Sequence, residues 1–337
     1  MFFHHKLFFI LILMTSSLIS ISSNSWMGMW IGLEMNLLAF IPLMQQKNNS
    51  FSIESSLKYF LTQTLASIIL ISSMILLSKN FIFLKNIENS IMMYFNSALL
   101  LKTGMAPFHF WFPEVIDGLN WNNCFILLSW QKLAPMVLIM YNLNFQYFFM
   151  MSIIFSLMIS GFMGLNQTSL RKLMAYSSIN HMSWMISAMF FSQMIWWFYF
   201  IIYLIVTFNI ISIFYLFNIY FYKQMISSIN NNFFMKILFS FNFLSLGGLP
   251  PFLGFFPKWL TIQHLILLNW ILLSLIMVLL TLMTLFFYMR FIFNILILAN
   301  NEINYFQMNS NVNLTILMIN IFSLFSLIYI SLSFNFF

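Results

Sequence analysis

Residues 104–113 read GMAPFHFWFP, and residues 248–257 read GLPPFLGFFP. Both fit G-x-x-P-F-x-x-x-F-P, and the second copy follows the first by 144 residues. Five of the seven prolines (Pro107, Pro113, Pro250, Pro251 and Pro257) fall in these two windows. Proline removes a backbone donor and clashes with the preceding turn, so each window is expected to break a helix. Both windows are flanked by long apolar runs, which puts the breaks inside membrane spans. Broken backbone at that depth is tolerated only where protein or water satisfies the freed carbonyls and amides. Prolines that merely kink a span are the simpler explanation. A ten-residue pattern repeated in full argues against two unrelated kinks.

The composition around these windows agrees. Of 337 residues, 62% are hydrophobic and 6% charged, with a mean hydropathy of +0.94. Soluble domains carry about 25% charged residues. Nineteen charged side chains could not solvate a protein of this size, which excludes a soluble enzyme. So much apolar surface also excludes a disordered chain. The apolar runs are continuous rather than alternating, so the class is an all-α polytopic membrane protein and not a β-barrel. About eleven transmembrane helices are expected, near 4–22, 25–44, 55–79, 90–112, 119–140, 146–165, 172–191, 194–222, 236–265, 268–299 and 313–336. The two broken helices are those at about 90–112 and 236–265. The run Leu7–Ile21 follows His4, His5 and Lys6 like a signal peptide, but no A-x-A site follows and it reads as a retained span. Loops such as QQKNNSFSIE (45–54) and residues 300–313 are short, so 1–337 reads as a single transmembrane domain. Five crossings separate the two windows, so the copies enter the membrane in opposite senses. That is an inverted-topology repeat, a mark of secondary-transporter folds.

Charge distribution sets the expected orientation. With eleven spans, one side collects Lys6, Lys47, Arg171, Lys172, Lys223 and Lys236, and the other little beyond Lys79 and Lys85. The basic side is expected to face inward, which puts the N-terminus inside and the C-terminus outside. A net charge of +7 spread over many loops forms no basic patch for nucleic acid. Cys124 is the single cysteine, so no intramolecular disulfide and no Cys-ligated cluster or zinc site is expected. Forty-five Phe and 28 Met beside only nine Gly suggest AT-rich codons and an organellar code. Selection for hydrophobicity alone would not favour Asn and Met over Ala and Val. The inner side is then the mitochondrial matrix, and the C-terminus lies in the intermembrane space.

Position singles out four charges. Glu34, Lys102, Lys132 and Lys258 fall near the middle of spans. Each costs about 2.5–3.5 kcal/mol at the bilayer centre on insertion scales, so all four are expected to face a partner, water or a bundle interior. A lysine whose carboxylate partner can approach and withdraw can load and release a proton. Glu34 and Lys102 suit such a pair, and a purely structural ion pair between two helices is the alternative. Lys132 and Lys258 extend the set into a proton relay. His109 and His181 are further candidates, as intermediates or water organisers. Plainer readings serve the rest. His4 and His5 belong to solvent, Glu114 and Asp117 to caps or loop contacts, His264 to an interface, and Arg171 and Lys172 to topology. Arg290, inside the tenth span, is left without a role. No G-x-G-x-x-G, Walker loop, paired-His haem pattern or metal-ligand cluster occurs.

Six blocks carry a resemblance: SNSWMGMWIGLEMN (23–36), SSLKYFLTQTLAS (55–67), LLLKTGMAPFHFWFPEV (99–115), WQKLAPM (130–136), GLNQTSLRKLMAYSSINHMSW (164–184) and LSLGGLPPFLGFFPKW (244–259). In order and spacing they resemble the mitochondrial NADH dehydrogenase subunit 2 family, especially its insect members. Beyond about residue 290 the likeness is mainly in hydrophobicity. The resemblance implies an antiporter-like core membrane subunit of respiratory complex I, the proton-translocating NADH:ubiquinone oxidoreductase, made as a single antiporter-like domain in the mitochondrial inner membrane. It implies eleven helices, the animal form lacking the first three of the fourteen-helix bacterial version. It implies that Glu34, Lys102, Lys132 and Lys258 match the family's functional residues, and His181 a histidine near its central water chain. It also implies that NADH, FMN, iron–sulfur clusters and ubiquinone bind elsewhere in the complex, with no cofactor in this chain. The implied partners are other membrane-arm and supernumerary subunits and phospholipids, including cardiolipin. A stand-alone cation/proton antiporter subunit would share the fold and the buried charges.

Overall fold

A computed structural model describes residues 2–46, 49–78, 85–143, 145–229, 233–297 and 320. These residues are helical throughout apart from turns and one isolated antiparallel bridge, Ser169 to Phe221. The eleventh expected span, 313–336, lies outside the described residues save Asn320, as do Lys47 and Lys79.

The chain forms two compact units, residues 1–152 and 153–337. The first holds α1 (Phe2–Ser22), α2 (Trp26–Met44), α3 (Ser50–Ser78), α4 (Lys85–Thr103), α5 (Trp111–Asp117), α6 (Trp121–Leu128), α7 (Trp130–Met140) and the start of α8 (Gln146–Leu165). Ser25 caps α2 by accepting from the Gly28 amide, as serine commonly does for one of the orphan donors at a helix start. Helix α1 lies along α2, α3 along α4, and α7 against both α4 and α1. The second unit holds the rest of α8, then α9 (Leu170–Met189), α10 (Gln193–Phe217), α11 (Tyr222–Ile229), α12 (Phe233–Gly247), α13 (Phe255–Leu267) and α14 (Ile271–Ile297). Its core is α9, buried at every residue from Leu173 to Met189 and packed by α10, α13 and α14. The outward surfaces are apolar: Leu7, Phe8 and Leu11 on α1 and Leu272, Leu279 and Phe286 on α14 are all exposed. A soluble protein would not leave such rows open, whereas a chain that spans a membrane can.

Seven helices among the described residues are long and apolar enough to cross a membrane. Three expected spans are not of that kind, each for a visible reason. Those at 90–112 and 236–265 are divided by their breaks into α4 and α5, and α12 and α13. That at 172–191 is the polar α9, buried from Leu173 to Met189. Two boundaries also differ from expectation. The span expected at 119–140 has a further interruption at Ser129, whose hydroxyl donates to the Phe125 carbonyl. The helix expected to run to 222 stops at Phe217, where Asn218 takes a left-handed φ of 50°. Asn218 is the kind of residue that tolerates that conformation.

The two breaks share one backbone plan. Gly104 (φ 74°) and Gly248 (φ 78°) end α4 and α12 in a conformation that disfavours side chains. The Met105 amide then donates to the Leu100 carbonyl, and the Leu249 amide to Leu244. Phe108 donates to Met105 and Phe252 to Leu249, and Phe112 donates to His109 and Phe256 to Leu253. Helices α5 and α13 resume at Trp111 and Phe255. Every one of these positions is offset by the same 144 residues as the sequence motif, so the expected pair of broken helices is present in register.

Candidate functional site

In the first unit, Lys102 lies in the last turn of α4, two residues before the break at Gly104, and is 6% exposed. Its Nζ stands 3.4 Å from Oε1 of Glu34 on α2. Charge-assisted hydrogen bonds are usually about 2.7–2.9 Å, so the pair is loosely engaged. The carbonyls freed by the break have found donors. Gln63 of α3 donates to the Lys102 carbonyl at 3.3 Å, and the Trp111 indole donates to that of Leu101 at 3.2 Å. Buried carbonyls need such partners, because water cannot reach them.

Lys132 of α7 is 1% exposed, and its Nζ sits 5.0 Å from the Phe112 ring centre. That is cation–π distance. Lys102 and Lys132 line one cavity, together with Tyr59, Trp111, Phe112 and Gln131. The cavity measures about 10 Å³, roughly what a single water requires. An amide pair adjoins it. Asn36 of α2 donates to Gln131 Oε1 at 2.8 Å, Gln131 returns a bond at 3.3 Å, and the Tyr59 hydroxyl donates to the same Oε1 at 3.4 Å. His109 lies elsewhere. It is buried within the broken segment, Nδ1 3.4 Å from the Pro107 carbonyl, and does not line the cavity of the two lysines.

In the second unit, Lys258 sits in the first turns of α13 and is 7% exposed. Nζ donates to the Gly247 carbonyl at 2.8 Å, capping the end of α12 at the break. Its stem lies on Gly248, where an added Cβ would come within 2.8 Å of Cδ. The Trp184 ring centre is 5.7 Å from Nζ. His181 of α9 has Nδ1 3.0 Å from the Tyr199 hydroxyl and its ring 5.3 Å from that of Tyr203. His181, Tyr199, Tyr203, Ser245, Gly254 and Pro257 line a second cavity of about 10 Å³ against the second break. Each unit thus pairs a helix break with a buried lysine and a cavity of one-water size.

The four charges singled out by position are therefore placed as follows. Glu34, Lys102 and Lys132 come together in the first unit, and Lys258 holds the break of the second. Glu114, expected in a loop contact, accepts from Lys58 at 2.8 Å, and Lys58 also pairs with Glu54 at 3.0 Å. His264 stacks on Phe191 with ring centres 3.9 Å apart. The sequence reading missed Lys58, Gln63, Gln131, Asn36 and Tyr199. The available signal was an amide or hydroxyl on the apolar face of a span, but only the facing helix shows what it bonds. Among the described residues, no group of three or more His, Cys, Asp or Glu could hold a metal ion.

Comparison with known proteins adds an independent line. A family model described as NADH:quinone oxidoreductase/Mrp antiporter, TM, matches residues 23–284. NADH-ubiquinone oxidoreductase chain 2 of Anopheles gambiae is 50% identical over 311 residues, covering 90% of this chain and 89% of its own length. The protein of that name from Aedes aegypti is 48% identical and 97% of each chain is covered. That from Ovis aries is 41% identical over 83% of each. A chain of respiratory complex I from Thermus thermophilus superposes with a TM-score of 0.84 at 18% identity, over 95% of this chain and 77% of that one. A chain of the Mrp complex from a Dietzia species gives 0.72 at 15% identity, over 85% of this chain and 59% of that one. At those identities the two structures speak to fold alone.

Proposed function

From the premise that the chain belongs to the NADH:quinone oxidoreductase/Mrp antiporter membrane family, and within it to the NADH-ubiquinone oxidoreductase chain 2 proteins, we propose that it is a core membrane-arm subunit of proton-translocating NADH:ubiquinone oxidoreductase, multi-pass in the mitochondrial inner membrane. It carries protons, while NADH oxidation and ubiquinone reduction take place on groups held by other subunits. The chain-2 relatives match over nearly the whole length, which favours this reading over a stand-alone antiporter. The N-terminus faces the matrix and the C-terminus the intermembrane space, as the basic loops require.

The observation that carries the reading is the Glu34–Lys102 pair at the first break, with Lys132 on the wall of the same cavity. A buried ammonium is tolerated beside a carboxylate and costs several kcal/mol without one. When redox events elsewhere in the complex draw Glu34 away, Lys102 passes its proton to Lys132 across the water-sized gap. When Glu34 returns, Lys102 reloads. The broken helix lets this happen, because its ends move without rupturing a continuous hydrogen-bond ladder. Lys258 at the second break, with His181 beside its own cavity, is the corresponding station of the second unit. His109, held in the broken segment, organises the first break.

The test is proton translocation by the intact complex in sealed vesicles. Lys102→Ala and Lys258→Ala are each expected to lower NADH-driven, quinone-dependent pumping at least tenfold. Normal stoichiometry of protons per NADH in both variants would contradict the relay.

A further inference from the structure

Arg290, which neither the relay nor the topology uses, opens a different question. It lines a cavity of about 230 Å³ in the second unit, where the loop 166–168 meets the later turns of α14. The wall opposite is fixed by backbone. Leu170 donates to the Tyr220 carbonyl at 3.0 Å, and Tyr222 donates to that of Thr168 at 3.2 Å. The Tyr222 hydroxyl is buried beside Arg290 and Asn294. Asn166, Gln167 and Thr168 add amides and a hydroxyl, and Phe291 supplies an apolar side against which Tyr222 packs at 4.7 Å.

Depth and charge say what such a cavity accepts. Arg290 is nineteen residues beyond Ile271, the start of α14. At about 1.5 Å per residue that is roughly 28 Å, close to the hydrocarbon thickness of a bilayer. Arg290 therefore reaches the headgroup layer opposite the start of its helix. Phe286, about one turn before it, and Phe293, about one turn beyond it, are both exposed. Among the described residues no carboxylate pairs with Arg290, and none lines the cavity. Arg171, Lys172 and Lys223 flank the lining segments in sequence and add positive charge around it. A guanidinium surrounded by amides and hydroxyls suits phosphate oxygens, which it meets with two parallel bonds. Basic pockets between membrane helices on the inner face suit anionic headgroups.

We propose that this cavity binds the phosphate-ester headgroup of an anionic phospholipid, with Arg290 as its counter-ion and the Phe287–Phe291 side facing the acyl stem. The inference is independent of the proton relay, and neither fails with the other.

The test is photolabelling of the intact complex in mild detergent. One arm uses a photoactivatable phosphatidylglycerol and another a phosphatidylcholine with the same chains. Cross-linked peptides are mapped by mass spectrometry. The anionic probe is expected to label 165–168 and 287–294 about tenfold more than the zwitterionic one, because only its net negative charge is left for Arg290 to neutralise. Arg290→Gln is expected to abolish that preference and leave labelling elsewhere unchanged. Millimolar inorganic phosphate separates the sources. Persistent labelling supports a lipid headgroup, and displacement assigns the cavity to a free phosphate and overturns the lipid. Equal labelling by both probes, or a preference untouched by Arg290→Gln, also overturns the proposal.

Discussion

The two helix breaks use the same backbone hydrogen bonds at positions 144 residues apart, yet they hold their lysines differently. Lys102 precedes its break by two residues and is neutralised from outside, by Glu34 on a separate helix. Lys258 follows its break by ten residues and is held from inside, by the Gly247 carbonyl that the break itself releases. The repeat position of Lys258 in the first unit is Glu114, which has turned to an exposed contact with Lys58. The shared plan is thus a property of glycine and proline, and the charge is fitted to it separately in each copy. A carboxylate on another helix can move away, whereas a carbonyl at the end of the lysine's own broken helix is a fixed partner. On the proposed relay, the first station has a partner that can withdraw, whereas the second keeps its lysine on a fixed carbonyl.

The largest effect that would break this comparison lies at the switch. Lys102→Ala leaves Glu34 without its cation. Breaking a buried pair costs about 3–5 kcal/mol, and Glu34, 20% exposed at its side chain, recovers part of that from solvent. The variant is expected to inactivate at a clearly lower temperature. Adding Glu34→Gln is expected to restore much of that temperature and none of the pumping, because it removes the stranded charge and not the missing carrier. A double variant no more stable than the single one would mean the two residues are not coupled.

Next come the glycines. An alanine at φ near +75° is strained by about 1–2 kcal/mol in either break. At Gly104 the added methyl meets the Phe112 ring at 3.0 Å, and at Gly248 it meets Lys258 at 2.8 Å. Gly104→Ala is expected to cost stability alone. Gly248→Ala is expected also to push Nζ off the Gly247 carbonyl and lower pumping. Equal effects on pumping would erase the distinction. Lys258→Met keeps the stem and removes the donor. It leaves a buried carbonyl unsatisfied at about 1–3 kcal/mol, seen as a lower half-inactivation temperature.

How much of this was legible in the sequence follows from the range of each signal. Gly104, Pro107, Gly248 and Pro251 act on their own turns, so the breaks could be read without any partner. Glu34, Lys102, Lys132 and Lys258 could be read because a charge in an apolar run is costly wherever it points. The interruption at Ser129 could not be read, since nothing in WNNCFILLSWQKLAPM (121–136) demands it locally. The Asn36–Gln131 pair joins residues 95 apart, and no periodicity reports which amides will meet across two helices. His181 could be seen in its polar block, but Tyr199 looked like one more aromatic among the many in the run 195–203, and only folding brings its hydroxyl to the imidazole. Arg290 was visible and unexplained because its cavity draws on three separate segments.

The smallest expected effect sharpens the comparison from its other side. Lys58 carries two carboxylate partners, Glu54 and Glu114, yet its side chain is 41% exposed and theirs 60% and 56%. Two contacts of 3.0 and 2.8 Å look stronger than the single 3.4 Å contact of Lys102. Exposed ion pairs nevertheless contribute little, because solvent and salt screen them and the side chains lose freedom on pairing. Burial, and not distance, is what gives the Lys102 pair its consequence. Lys58→Gln is therefore expected to leave both pumping and half-inactivation temperature within error of the wild type, while Lys102→Gln, the same change at the longer contact, abolishes pumping. If Lys58→Gln instead lowered the proton stoichiometry, Glu114 would be acting as the first unit's counterpart of Lys258, and the two breaks would be more alike than their charges suggest.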